Sequence, residues 1–321
     1  GLVTSTSYSY RVRAVDAAEL GLPAFAWAAH SDPLDAATIA AISAGVSTRR
    51  YRSTLDALPL GEPERASSRS AVSRRFVALS AERLAQWLGR KLQDLVLPVV
   101  MIDGIHFEER VVLIALGIDA QGKKHVLGIR EGGTENTRVV RSLLADLVER
   151  GLDAEAPRLW MIDGAKALRR ALTEVFGASV LVQRCQEHKR RNVLDHLPRD
   201  MHASVSRALR DAWQSRDVTL AKRQLHRLVQ SLARNHPGAA ASLREGLPET
   251  LTVTALGIEG ALWRTLRSTN PIENLNGLIA HYTRNVKRWK HGHMVLRWIG
   301  SALHEAAAGF RCVRNSPPPP K

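Results

Sequence analysis

The sequence predicts an α/β fold in which three antiparallel strands lead into parallel strand–helix units, flanked on both sides by helical segments. Three observations carry this. Short apolar runs bounded by Gly and Asp recur from Val99 onward. Between the later runs lie stretches with helical apolar spacing. From Asp35 to Leu92 and after Arg184 the sequence reads chiefly as helices.

The elements follow in order. Asp35 to Ala44 reads as a helix with Ile39 and Ile42 on one face. Gly45-Val46-Ser47 is a turn, and Thr48 to Leu58 resumes helix with Arg49, Arg50 and Arg52, a helix-turn-helix pattern. A loop with Pro59, Gly61 and Pro63 precedes a second such candidate. In it Ser67 to Val77 carries Arg74 and Arg75, and Ser80 caps a helix over Ala81–Leu92. Then come the strands: VVMID at 99–103, Arg110–Ile118 and Lys124–Ile129, the last two joined by the turn Asp119-Ala-Gln-Gly122. Thr134 to Arg150 is an amphipathic helix with Val139, Leu143, Leu144 and Leu147 on its stripe. Arg158–Ile162 is a strand, Lys166 to Phe176 a helix and Ser179–Val182 a fifth strand. The order βββαβαβ is the connectivity of the ribonuclease-H-like fold. Beyond Arg184 the chain reads as helical to about Asn235, broken at His236-Pro237-Gly238, with a last long helix from about Asn270.

Composition narrows the function. The chain has 321 residues, 46 basic against 31 acidic, a net charge of +15 and a pI near 10.6. A polyanion partner follows, nucleic acid before an anionic membrane. The excess is regional. Residues 184–321 hold 23 basic and 10 acidic side chains, while 99–183 hold 11 and 12 and 1–98 hold 12 and 9. A near-neutral segment beside a strongly basic one suits metal-dependent cleavage of nucleic acid, with carboxylates for cations and cations for phosphates. The longest apolar run, Leu95–Ile102, is eight residues, too short to span a membrane. Two cysteines make no disulfide framework and point to a reducing cytoplasmic setting. No G-x-x-x-x-G-K-[ST] loop occurs, which argues against a nucleotide-driven enzyme. With Gly1 rather than methionine at its start, the sequence reads as part of a longer chain.

Chemistry-bearing residues fall at the strand ends. Asp103 and Asp163 each close an apolar run within Met-Ile-Asp-Gly, where an open sheet binds ligands and Gly admits a substrate. Asp-Gly is also an ordinary turn dipeptide; its recurrence on neighbouring strands favours function. Glu273 has two readings. With Asn270 as N-cap and Pro271 at N1 it sits in a capping box. As a third carboxylate it helps hold two Mg²⁺ about 3.5–4 Å apart. A continuous helix would set Ala280, Arg284 and Lys287 on the Glu273 side and Ile272, Leu275, Ile279, Tyr282 and Val286 on the packing side. Arg284 to Trp298 is basic with two tryptophans. Trp298 reads as core and Trp289 as a base-stacking candidate.

The segments MIDGIHF (101–107), MIDGAKALRRA (161–171), QRCQEHKRRNVLDHLP (183–198), TNPIENLN (269–276) and RNVKRWKHGHMVLRW (284–298) resemble the Mutator-type transposases of bacterial insertion sequences. The likeness runs from about Arg11 to Val313 and includes GVSTRRY (45–51) and SAVSRRFVALS (70–80). It implies a catalytic Asp-Asp-Glu triad on a ribonuclease-H-like core: Asp103, Asp163 and Glu273, separated by 60 and 110 residues. The longer gap accommodates an all-helical insertion. The implied organisation is an N-terminal helical DNA-binding region at 1–98, the first part of the core at 99–188, the insertion at 189–267, the Glu-bearing part at 268–313 and an extended tail at 314–321. The implied cofactor is a pair of Mg²⁺ ions, with Mn²⁺ as substitute. The implied partners are DNA, as terminal inverted repeats and target, and a second copy of the chain or more. The implied location is the bacterial cytoplasm, at the nucleoid. DNA-contacting candidates are Arg49, Arg50, Arg74, Arg75, Lys189, Arg190, Arg191, Arg284, Lys287, Arg288, Trp289 and Lys290. Cys185 and His188, in a Cys-x-x-His motif, and Asn270 are expected to support the site. His196 and His202 lie nearby, but their spacing fits no zinc module, so the reading is a packed Cys beside a His. The sequence departs from the family's pattern after Glu273, at Gly277 and Ala280-His281, and it starts later than full-length members. Two rival functions remain at this stage: a non-catalytic DNA-binding relic, separated by a Mg²⁺ cleavage assay, and a nuclease of the same fold, separated by the absence of joined products.

Overall fold

A computed structural model of the chain describes residues 38, 39, 41, 42, 51, 68–133 and 136–313. Residues 38, 39, 41 and 42 are helical, and Ile39 and Ile42 are buried together with Tyr51, in keeping with the first predicted helix. The turn at 45–47 of the first helix-turn-helix candidate, with Arg49 and Arg50, lies outside the described residues. The second is a single helix, α1, over Arg69–Gly89. Ser68 caps it, its side chain accepting from Ala71 N. Ser80 starts no new helix. It sits inside α1, buried, and its Oγ donates to Phe76 O at 2.5 Å, which satisfies the hydroxyl without breaking the ladder.

The sheet comprises β1 (Val99–Phe107), β2 (Arg110–Ile118), β3 (Lys124–Gly132), β4 (Leu159–Ile162) and β5 (Leu181–Arg184). The spatial order is β3-β2-β1-β4-β5, with β1–β2–β3 antiparallel and β1–β4–β5 parallel. Asp119 closes the β2–β3 turn, accepting from Gln121 N and Lys123 N, and Gly122 takes the φ of +78° that the turn requires. Both sheet faces are covered, which explains why β2 is buried without alternation from Val111 to Ile118. Its Val112, Ile114, Leu116 and Ile118 belong to one core, while Val111, Leu113 and Ala115 belong to the other.

The second core is closed by α2 (Thr137–Glu149) and α3 (Lys166–Phe176). In α2 the fully buried stripe is Val140, Leu143, Leu144 and Leu147. Asn136 caps the helix, and Val140 rather than Val139 is fully buried. Each such buried aliphatic side chain stabilises the fold by about 1.5–3 kcal/mol. The fifth strand starts two residues later than predicted, at Leu181.

The helical stretch after Arg184 is not continuous. It consists of α4 (Gln186–Leu194), α5 (Arg199–Gln214) and α6 (Val218–Ala233), broken before Arg199 by Pro198 and before Val218 by Asp217, whose side chain caps α6. The predicted break at His236 is present, and α7 (Pro237–Arg244) starts there. A 3₁₀ turn (Pro248–Leu251), α8 (Thr252–Ala255) and α9 (Gly260–Thr265) follow. Residues 189–267 thus contain helices and no strand among the described residues. Much of this segment closes its own hydrophobic core, around Leu209, Trp213, Leu225 and Leu243. The returning chain is fastened to β5. Thr250 O accepts from Gln183 Nε2 and Gln186 Nε2 at 3.0 and 2.8 Å, and Glu249 pairs with Arg169 and Arg184 at 2.6 Å each.

The last predicted helix is two: α10 (Asn270–Thr283) and α11 (Gly292–Ala308). They cover the first face of the sheet. Among the described residues no helix is long and apolar enough to cross a membrane.

Candidate active site

The parallel register aligns the two aspartates. Val99, Val100 and Met101 pair with Leu159, Trp160 and Met161. Two residues beyond the last pair, Asp103 and Asp163 stand level. Alternation puts them on the same face as Met101 and Met161, which both pack in the core shared with α10 and α11. Asp163 lies one residue past β4, as expected. Asp103 does not end its strand. β1 continues to Phe107 because β2 pairs with it along its whole length, while β4 stops. After Asp163 the chain turns at Gly164, with φ +109°, and Asp163 Oδ1 accepts from Ala165 N at 2.8 Å.

Glu273 reaches the same side from α10, but the predicted capping box is absent. The N-cap is Thr269, so Asn270 is the first helical residue and is exposed. Thr269 is fully buried and its Oγ1 donates to Glu273 Oε1 at 2.6 Å. Asn270 makes no contact that would make it a site-supporting residue among the described residues. Asn276, one turn beyond Glu273, does: its Nδ2 donates to Asp103 Oδ2 at 2.8 Å, which ties α10 to β1. Sequence reasoning missed Thr269 and Asn276. The available signal was the i, i+3 spacing of Glu273 and Asn276, which puts them on one helix face.

Burial and the neighbouring Asp163 charge push the Asp103 carboxyl up to about 6. Glu273 adds to this, while the Gly104 N–H and His188 oppose it. Acidic groups held this close favour protonation or a cation. The side chains do not yet close into one set. Among the described residues the metal-ligating trio within 4.8 Å of one another is Cys185, His188 and Glu273, because the Glu273 carboxylate is turned toward Thr269.

Cys185 is buried at the start of α4, and its Sγ accepts from His188 N and Thr269 N at 3.5 and 3.4 Å. Burial raises its thiol pKa, but the hydrogen bonds from His188 and Thr269 outweigh it and hold the thiol below its ordinary range. His188 Nδ1 lies 3.6 Å from Glu273 Oε1, and its pKa is raised, chiefly by its hydrogen bond with Cys185. Both residues contact the start of the Glu-bearing helix, at Thr269 and Glu273.

The basic candidates divide. Arg191 is exposed and its Nη2 is 3.8 Å from Glu273 Oε2. Arg190 is half-buried and held by Glu187. Lys189 is not surface-directed. It is buried, its Nζ donates to Ser242 O and Glu245 O at 2.7 Å each, and burial, with Arg184 close by, holds its ammonium down to about 8. A cation at the C-terminal end of α7 meets unpaired carbonyls. Lys189→Met should therefore lower stability by about 1–3 kcal/mol and leave nucleic-acid affinity unchanged, as read by thermal melts and a binding titration.

Arg284 and Lys287 do not share the Glu273 face, because α10 ends at Thr283 and residues 284–291 are not helical. Arg284, Lys287, Arg288 and Lys290 are nonetheless exposed along that segment. Trp289 is half-buried, edge-on to Phe107 at 4.9 Å between ring centres, so packing rather than base stacking accounts for it. Trp298 is half-buried against Phe76. Arg74 is exposed and Arg75 half-buried on α1.

Comparison with known proteins gives a consistent picture. The profile described as "Transposase, Mutator family" matches residues 28–312. Similar curated proteins include the transposase for insertion sequence element IS6120 of Mycolicibacterium smegmatis, 31% identical over 67% of this chain and 67% of that protein. Another is that for IS406 of Burkholderia multivorans, 33% identical over 81% of this chain and 67% of that protein. A third is that for IS256 in transposon Tn4001 of Staphylococcus aureus, 28% identical over 81% and 66%. A transposase for IST2 of Acidithiobacillus ferrooxidans matches over 58% of its own length, so the chain spans about two thirds or less of these relatives.

Proposed function

This chain belongs to the Mutator family of transposases, and from that premise we propose that it is a DDE-type transposase that nicks DNA at transposon ends and joins the freed 3′ ends to target DNA. The observation that carries the proposal is the register that sets Asp103 level with Asp163 beneath the helix bearing Glu273. The sheet order and the β1–β2–β3 meander followed by parallel β4 and β5 support a ribonuclease-H-like core with residues 189–267 as its insertion.

The three carboxylates fit hard divalent cations. They are oxygen donors, and the Asp103 carboxyl is already pushed up by burial and its acidic neighbours, a strain that a cation relieves. Asp103, Asp163 and Glu273 would hold two Mg²⁺, or Mn²⁺ in their place. When bound, these ions activate the attacking oxygen and stabilise the leaving one.

The chain's own residues do the positioning. Asn276 fixes the Asp103 carboxylate, and Thr269 anchors Glu273. Exposed Arg191 beside Glu273, with Arg284, Lys287, Arg288 and Lys290, would hold the phosphate backbone across the site. Arg74 and Arg75, with Arg49 and Arg50, would serve the N-terminal DNA-binding region at 1–98. Two transposon ends call for a homodimer or higher assembly on DNA, at the bacterial nucleoid.

The test is nicking of an end-bearing duplex with Mg²⁺. Nicks at the transposon end that vanish with chelator are expected, and binding without nicking under all divalent conditions overturns the proposal. In the same assay Asn276→Leu should cut activity about 10–100-fold and raise the Mg²⁺ needed for half-maximal rate, as loss of a partner to a metal ligand does. An unchanged Mg²⁺ titration would contradict that role.

A further inference from the structure

We propose that Cys185, His188 and Glu273 form a three-ligand site for Zn²⁺, separate from the paired aspartates. The sequence favours a packed Cys beside a His over a zinc module, because Cys185 and His188 have no nearby second pair at module spacing. The fold supplies the third ligand from 85 residues further along the chain, on α10. The thiol sulfur, an imidazole nitrogen and a carboxylate oxygen lie within 4.8 Å of one another, and His188 Nδ1 is 3.6 Å from Glu273 Oε1. In a tetrahedral zinc site with bonds of about 2.0–2.3 Å, ligand atoms stand about 3.3–3.8 Å apart. Small side-chain rotations close the remaining distance.

The donor set selects the ion. Sulfur with imidazole suits Zn²⁺ and not Mg²⁺, whereas Asp103 and Asp163 offer hard oxygens alone. Three protein ligands leave the fourth position to water, the pattern of an open zinc site. The surroundings are compatible. Glu273 Oε1 can accept from Thr269 Oγ1 and bind an ion through its other lone pair. His188 and Glu273 are partly exposed, at 24% and 30%, which gives the ion a way in, while Cys185 forms the buried floor. On binding, the Cys185 thiol proton leaves to solvent. Because Glu273 is shared, a bound Zn²⁺ removes the third carboxylate from the catalytic set. This consequence, unlike the site itself, rests on the function proposed above.

The experiment is calorimetric titration of the tag-free chain with Zn²⁺. One equivalent should bind. Cys185→Ser and His188→Gln should each weaken uptake by at least about 10-fold, the lower end of what even an outer-shell loss causes. Cys312→Ser, at the other, exposed cysteine, should not weaken it. Asp103→Asn with Asp163→Asn should retain Zn²⁺ uptake while losing Mn²⁺, so the zinc site and the catalytic assignment are read separately. Co²⁺ in place of Zn²⁺ should give a thiolate charge-transfer band that Cys185→Ser abolishes. Circular dichroism checks folding, and His188→Gln, at a partly exposed position, provides the answer should Cys185→Ser fail to fold. No Zn²⁺ uptake, uptake indifferent to both Cys185→Ser and His188→Gln, or uptake lost with the aspartate pair overturns the proposal.

Discussion

Glu273→Gln should abolish DNA strand cleavage while leaving the fold and DNA affinity in place. The substitution preserves size and keeps an oxygen able to accept the Thr269 hydroxyl, so the contact that anchors this side chain survives. If anchoring α10 is its only role, little changes. If the carboxylate is a cation ligand, the neutral amide is a much poorer partner for a hard ion. Loss of several kcal/mol of transition-state stabilisation corresponds to a rate loss of about 10²–10³ or more. Nicking rates on a labelled end-bearing duplex, with thermal melts and a DNA titration alongside, separate the two roles.

Asp103→Asn should also stop cleavage, yet stabilise the protein in chelating buffer. In the fold the Asp103 carboxyl is pushed up to about 6 from an ordinary value of 3.8, by burial first and Asp163 second. A carboxyl whose folded value is raised binds its proton more tightly folded than unfolded. Its stabilising contribution is therefore full below about 4 and is lost as pH rises through about 6. At neutral pH the ionised group is a liability on the order of 1–3 kcal/mol, which the neutral amide removes. The variant should melt several degrees higher than the parent above pH 6 without metal and no higher below pH 4. Added Mg²⁺ should stabilise the parent and narrow the gap. Equal melting of the two proteins at pH 7.5 in chelator would mean that the carboxylates do not repel one another in the fold.

The contrast between what was legible and what was not has a physical basis. Strands β1 to β4 were readable because both sheet faces are covered, so each holds a stretch of consecutive buried residues rather than a strict alternation. Asp103 and Asp163 stood out because each interrupts such a run just before Gly. Their level placement required a register, which sequence does not display. The burial of Lys189 was invisible because its acceptors, Ser242 and Glu245, are more than fifty residues away. The end of α10 at Thr283 was missed because apolar spacing continues through Val286, although the residues beyond Thr283 leave the helix. Ser80 and Asn270 misled for a common reason. Ser and Asn favour caps, but a buried Ser can bond back within its helix, and the neighbouring Thr269 held the cap position.

Strand joining tests the central claim most directly. A pre-nicked transposon end with a free 3′ hydroxyl, incubated with target DNA and Mg²⁺, bypasses the nicking step and isolates the transfer proposed for Asp103, Asp163 and Glu273. The parent chain should yield covalently joined products, and folded Asp163→Asn, with DNA affinity intact, should yield none. Joining by Asp163→Asn at the parental rate would contradict the account.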